Sequence, residues 1–291
     1  MGADGSAMPR NVLVVTAATL SDDMLARAAA RAGATLRRLG PGGALGDLGA
    51  PLDDRALAAL RADLADMDVN ALTPRQATPK RLLIADMDST MITVECIDEI
   101  ADVHGVGAEV ASITERAMQG ELDFEGALRA RVALLKGAPI STLETVWRER
   151  VQLSDGAEAA VRGMAARGAR TALVSGGFTY FTTRVAAACG FHEHQANTLM
   201  EKDGVLTGEP GAPILGRDAK GAALARILSA LDASPEQALA VGDGANDLDM
   251  IEAAGLGVAY RAKPVVAERA DARLDRSDLT ALLYLQGISP D

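Results

Sequence analysis

Three short, largely apolar runs constrain this chain of 291 residues more than anything else in it: Leu82–Ala85, Thr171–Ser175 and Ala238–Val241. A strand with one wet face alternates apolar and polar residues. Runs that do not alternate suit strands covered on both faces, as in a parallel sheet with helices on either side. Each run breaks off into polar residues: Asp86 and Asp88, then Ser175-Gly176-Gly177, then Asp243-Gly244-Ala245-Asn246-Asp247. Ligands of open parallel sheets gather beyond the carboxyl ends of the strands. The three polar ends are therefore expected to meet in one site, and Gly257–Ala259 supplies a further short strand.

The stretch 95–153 between the first two runs is mostly helical and too long for a simple crossover. It predicts an inserted cap, with 81–94 and 154–291 forming the α/β core. Upstream, residues 1–10 read as a disordered leader. Strands are expected at Asn11–Ala17, Ala34–Leu39 and Asp68–Leu72, and helices at Ser21–Gly33 and Asp53–Met67, around a Gly/Pro-rich stretch from Gly40 to Pro51. Residues 73–80 carry two prolines among polar residues and read as a linker after a small α/β unit, 11–72.

Composition excludes several functions. A net charge of −11 and 3% aromatic residues leave neither a basic stripe nor a stacking platform for nucleic acid. Two cysteines, Cys96 and Cys189, lie far apart, and three histidines are too few for a metal cluster. No apolar segment reaches the roughly 20 residues of a membrane span. The run Asn11–Leu20 lacks a small-residue cleavage site and leads into Ser21-Asp22-Asp23, a helix start, so a cytoplasmic protein is expected.

The chemistry lies in the polar ends. Burying ionised carboxylates costs free energy unless a cation or hydrogen-bond donors meet them. A carboxylate such as Asp86 can attack phosphorus and split one hard displacement into two. A second, such as Asp88, can protonate the leaving alkoxide and later deprotonate water. Taken alone, Asp86-Met87-Asp88-Ser89-Thr90 also fits a helix cap, with Ser89 and Thr90 satisfying the turn. Asp243 and Asp247, four apart after a glycine turn, add hard oxygen donors that suit Mg²⁺ together with Asp86. Ser175 followed by two glycines and a helix offers an anion site, and taken alone also fits a tight turn. Lys220, at the start of a helix Lys220–Leu231, opposes the helix dipole unless it meets an anion.

Asp-x-Asp-Ser-Thr, Ser-Gly-Gly-Phe, a lone Lys and Gly-Asp-Gly-x-Asn-Asp, in that order, resemble the haloacid dehalogenase superfamily of phosphotransferases. Within it, 87–99 (MDSTMITVECIDE) and 117–132 (AMQGELDFEGALRARV) are similar to the phosphoserine phosphatase family. The resemblance runs from Arg81 to the C-terminus; Ala127 stands where relatives often carry Ser. It implies a Rossmannoid three-layer core with a parallel sheet and a helical C1-type cap. It also implies Mg²⁺-dependent hydrolysis of O-phospho-L-serine through an aspartyl phosphate. Asp86 would be the nucleophile and Asp88 the general acid and base. The metal would be held by Asp86, the Asp88 carbonyl and Asp243, with Asp247 in support. Ser175, Gly176, Gly177, Lys220 and Asn246 would hold the phosphoryl oxygens. Glu95 and Arg131 would meet the substrate's ammonium and carboxylate, flanked by Met118 and Phe124.

The same machinery also fits phosphoryl transfer to another alcohol, or another small phosphomonoester. A non-catalytic amino-acid sensor would need none of these groups together. The N-terminal order β-α-β…α-β resembles an ACT-like (ferredoxin-like) module, which implies a homodimer contact or serine as a feedback ligand, with a purely structural add-on as the other reading.

Overall fold

The computed structural model describes residues 9–118 and 121–290, with only the backbone of Met118. The leader expected at 1–10 lies outside these residues except for Pro9 and Arg10, and Arg10 pairs with Asp54 at 2.7 Å.

The first unit runs β1 (Val12–Thr16), α1 (Asp22–Ala32), β2 (Thr35–Gly40), β3 (Gly43–Asp47), α2 (Asp54–Asp63) and β4 (Asp68–Leu72). Its antiparallel sheet has the order β2-β3-β1-β4, the ferredoxin-like arrangement. The helices start where side chains satisfy free N–H groups: Ser21 accepts from Met24 N at 3.2 Å and Asp53 from Ala56 N at 2.7 Å. Strand β3 lies inside the Gly/Pro-rich stretch read as irregular. Its glycines serve close approach: a Cβ at Gly43 would overlap the Tyr284 ring, and one at Gly46 the Thr35 carbonyl. One face of this sheet packs Leu13 and Val15 against Leu57, Leu60 and Leu64. The other, with Val12, Val14, Leu39 and Leu72, joins the core of the second unit.

The second unit continues with β5 (Leu82–Ala85), the cap helices α3 (Cys96–His104), α4 (Gly107–Met118), α5 (Phe124–Leu134) and α6 (Ser141–Glu149), then α7 (Ala157–Ala165), β6 (Arg170–Phe178), α8 (Thr179–Cys189) and β7 (Glu193–Asn197). A hairpin of β8 (Leu199–Lys202) and β9 (Val205–Pro210) follows. The chain ends with α9 (Asp218–Ala230), β10 (Ala238–Gly242), α10 (Leu248–Ala253), β11 (Leu256–Tyr260), α11 (Pro264–Ala267), β12 (Ala272–Leu274) and α12 (Ala281–Tyr284). The sheet order is β12-β11-β10-β5-β6-β7, and every pairing is parallel. Alternate residues of β5 feed opposite layers: Leu83 and Ala85 pack with α7, α8 and α12, while Leu82 and Ile84 pack with α9 and α10. This is the α/β, three-layer class. From β5 the strands proceed outward one way through β6 and β7, and the other way from β10 to β12. The junction of the two halves is a topological switch point, and β5 sits at it.

The cap joins the core through the bridges Ile92–Leu153 and Pro139–Val205. The second bridge comes from the hairpin, which the apolar pattern did not announce and which packs on α5. No helix of the described residues is long and apolar enough to cross a membrane.

Candidate active site

The chain leaves β5 by a tight turn. Asp86 N donates to Val241 O at 3.0 Å, tying the strand end to β10, and Ile92 N closes the turn on Met87 O at 3.0 Å. Met87 points into the core, so Asp86 and Asp88 share the opposite face and both line one cleft of about 440 Å³. Ser89 adopts the left-handed region, φ 55°, which few non-glycine residues occupy. Ser89 and Thr90 do more than satisfy the turn: their hydroxyls reach Glu95 at 2.6 Å and Asp243 at 3.2 Å.

Lys220 is not a solvated surface lysine. It is 2% exposed, in the first turn of α9, and its ammonium meets Asp86 Oδ1 at 2.6 Å and Asp247 Oδ1. Those two anions compensate its unfavourable place in the helix dipole. Burial alone would lower the Lys220 pKa, but Asp86 and Asp247 outweigh it and hold the group firmly protonated. With its ammonium on these carboxylates, Lys220 is not among the residues that line the cleft. Asp247 is completely buried, and its Oδ2 accepts from Gly244 N at 2.9 Å and Asp243 N at 3.1 Å.

Carboxylate oxygens of Asp86, Asp243 and Asp247 lie within 4.8 Å of one another. Burial, then Asp247, push the Asp86 carboxyl well above the usual carboxylate range, against the pull of Lys220. Burial and Asp247 likewise raise Asp243 to about 6. Three clustered carboxylates against one ammonium leave surplus negative charge on hard oxygen donors, which fits Mg²⁺.

Asp88 has a different environment. Its Oδ1 accepts from Cys96 N at 2.9 Å and its Oδ2 from Ser175 Oγ at 3.1 Å, while Gly177 N donates to Ser175 Oγ at 2.8 Å. Burial, then Glu95, raise its pKa to about 6. Residues Gly176 and Gly177 do not form a tight turn. Strand β6 runs through them to Phe178 with a register shift, and a Cβ at Gly177 would stand 2.6 Å from Asp88 Oδ2.

Across the cleft stand Glu95, at the N-cap of α3, and Phe124 and Arg131 of α5; Asn246 of the β10–α10 loop also lines it. Met118 ends α4, and its side chain is not described. Burial lowers the Arg131 pKa, opposed by Asp98 and then Glu95. Asp98, Thr114, Leu128 and Lys263 line the same cleft without having been singled out from sequence. For Asp98 the helical spacing offered a signal, three residues after Glu95 and so on the same face of α3. Lys263 follows β11 just as the other polar ends follow their strands.

The haloacid dehalogenase-like hydrolase family model matches residues 80–255. A phosphoserine phosphatase of Polaromonas sp. (strain JS666) is 45% identical over 223 residues, 75% of this chain and 94% of that protein. One of Archaeoglobus fulgidus is 44% identical over 203 residues, 70% of this chain and 59% of that protein. The unliganded crystal structure of a probable phosphoserine phosphatase from Vibrio cholerae superposes with a TM-score of 0.82 at 34% identity, over 96% of this chain and 87% of that one.

Proposed function

We propose that this chain, which belongs to the phosphoserine phosphatase family of the haloacid dehalogenase-like hydrolases, hydrolyses O-phospho-L-serine to serine and phosphate as an Mg²⁺-dependent enzyme. The observation that carries the mechanism is the pair on the β5 turn. Asp86 faces an ammonium and other carboxylates, whereas Asp88 is held by neutral donors with its pKa raised to about 6. Two carboxyls whose environments differ in this way take different roles.

An oxygen of Asp86 attacks phosphorus while the Asp88 carboxyl gives its proton to the departing seryl oxygen. The P–O bond to serine breaks, serine leaves as the alcohol, and the phosphoryl group stays on Asp86 as an acyl phosphate. Asp88, now a carboxylate, takes a proton from water as the water oxygen attacks phosphorus. The bond to Asp86 breaks, phosphate leaves and both carboxyls are restored. Asp86, the Asp88 carbonyl and Asp243, supported by Asp247, would hold Mg²⁺, whose charge offsets that of the nucleophile and the phosphate. The phosphoryl oxygens take Ser175 Oγ, the backbone of Gly176 and Gly177, and Asn246. Lys220 keeps Asp86 oriented and comes free to meet phosphate as charge leaves that carboxylate.

Phosphoserine carries an ammonium and a carboxylate beyond its phosphate. Glu95 takes the first and Arg131 the second, since a guanidinium grips a carboxylate with two parallel bonds. Phe124 closes the pocket, and the cap excludes water while the acyl phosphate exists. For a substrate of amino-acid metabolism the cytoplasm is the compartment this reading favours, with product serine as the candidate ligand of the N-terminal module and a homodimer as the candidate assembly.

Phosphate release from a panel of phosphomonoesters, with Mg²⁺ or with chelator and with candidate acceptor alcohols, tests the reading. Phosphoserine should be cleaved most efficiently, and only with Mg²⁺. Transfer to an added alcohol would make the chain a phosphotransferase, and no release from any ester would make it a sensor.

A further inference from the structure

We propose that Ser89 is a positioning residue for substrate selection, its hydroxyl holding the Glu95 carboxylate over the cleft to receive the substrate's ammonium. This rests on the role of Glu95 given above. Ser89 Oγ donates to Glu95 Oε1 at 2.6 Å, and among the described residues the Glu95 carboxylate accepts no other hydrogen bond. Glu95 is the N-cap of α3, where a side-chain oxygen ordinarily turns back onto the helix's own N–H groups, yet it makes no cap bond. The first N–H of the helix, that of Cys96, goes to Asp88 at 2.9 Å, and the third, that of Asp98, to the Glu95 carbonyl at 3.1 Å. The general acid thus satisfies the first free N–H of α3, and the Glu95 carboxylate is held by Ser89.

Reaching Glu95 has a conformational cost. Ser89 sits at φ 55°, ψ 3°, a left-handed geometry closed by its N–H on Val94 O at 3.2 Å. Glycine would hold this turn with less strain and would lose the hydroxyl. One turn therefore presents Asp86 and Asp88 to the reacting phosphate and, through Ser89, fixes the carboxylate that reads the far end of the substrate. A carboxylate already held in place loses less rotamer freedom when an ammonium binds it.

The test compares O-phospho-L-serine with 3-phosphoglycerate, which carries a hydroxyl where phosphoserine has its ammonium; 3-phosphoglycerate is scored as substrate or as competing inhibitor. Ser89→Ala should lower the preference for phosphoserine about three- to tenfold, mainly through KM, as expected when one carboxylate side chain must be ordered by the substrate itself. Ser89→Gly should do the same although it relieves the backbone, which separates the hydroxyl's role from strain and covers a misfolded Ala variant. In Glu95→Gln, adding Ser89→Ala should lower the preference no further. Retained preference in both Ser89 variants, with preference lost in Glu95→Gln, overturns this inference alone. Retained preference in Glu95→Gln overturns the role of Glu95 and the inference with it.

Discussion

At the scale of single residues, two carboxyls two positions apart on one turn end in different company. Asp86 meets Lys220, and Asp88 meets the hydroxyl of Ser175 and a helix N–H. If Asp86 is the nucleophile and Asp88 only moves protons, their substitutions differ. Asp86→Asn should abolish turnover with the fold intact by circular dichroism. Asp88→Asn should cost about 10²–10⁴-fold in kcat, the usual range for a lost general acid. Wild-type-like turnover in Asp86→Asn would remove the nucleophile assignment.

The acid cluster makes a second prediction. The folded-state pKa of Asp243 is raised to about 6 from an ordinary 3.8. The folded protein therefore binds this proton more tightly than the unfolded chain, giving a stabilisation that is complete below about pH 4 and lost as pH rises through about 6. In metal-free protein, Asp243→Asn should gain on the parent by about 2–4 °C in Tm between pH 5 and pH 7. It should also lose most of the Mg²⁺-dependent rise of the parent's Tm. Parallel melting curves for the two metal-free proteins across that range would count against the raised proton affinity of Asp243, and an undiminished Mg²⁺-dependent rise in Asp243→Asn would count against it as a metal ligand.

At the scale of elements, legibility followed burial. Strands β5 and β10 are readable because their apolar runs are covered on both faces, and the chain ends each of them in polar or turn-forming residues. Strand β3 was hidden because Gly43-Ala44-Leu45-Gly46-Asp47 carries the composition of a loop. Its Gly43 answers to Tyr284, 241 residues further along the chain, and no local pattern reports that. The β8–β9 hairpin was missed for a similar reason: it is mostly exposed and takes its place from the cap helix it touches. The sequence shows that Lys220 needs an anion but not which one, because its two anionic partners come from the turn after β5 and the β10–α10 loop. Gly43→Ala should destabilise by about 1–3 kcal/mol through overpacking. The same substitution should cost much less in a Tyr284→Ala background, and the double-mutant cycle isolates that contact. Equal cost in both backgrounds would mean that the hairpin, rather than the tyrosine, requires glycine.

At the scale of the whole molecule, the N-terminal unit is built into the core. Among the described residues it contributes nothing to the lining of the cleft. Its sheet covers the apolar side formed by Leu279, Leu282, Leu285 and Ile288. Buried Asp68, at the start of β4, accepts the N–H groups of Asp275, Arg276 and Ser277 together with the Ser277 hydroxyl. Asn70 exchanges two further bonds with the Arg273 backbone. Segment 73–80 is anchored too, with Lys80 N on Gln286 Oε1 at 2.8 Å and Lys80 Nζ on Arg75 O at 2.7 Å. A chain beginning at Pro79 would leave that apolar side and those backbone groups facing water. It should melt at least about 5 °C lower and bind a hydrophobic dye, while each folded molecule keeps its turnover. Titrating serine against both forms then isolates the module's influence: product inhibition at the cleft survives truncation, and inhibition through the module does not. A truncated chain as stable as the full one would mean that these buried contacts contribute nothing net. The module would then be an appendage held by its linker alone.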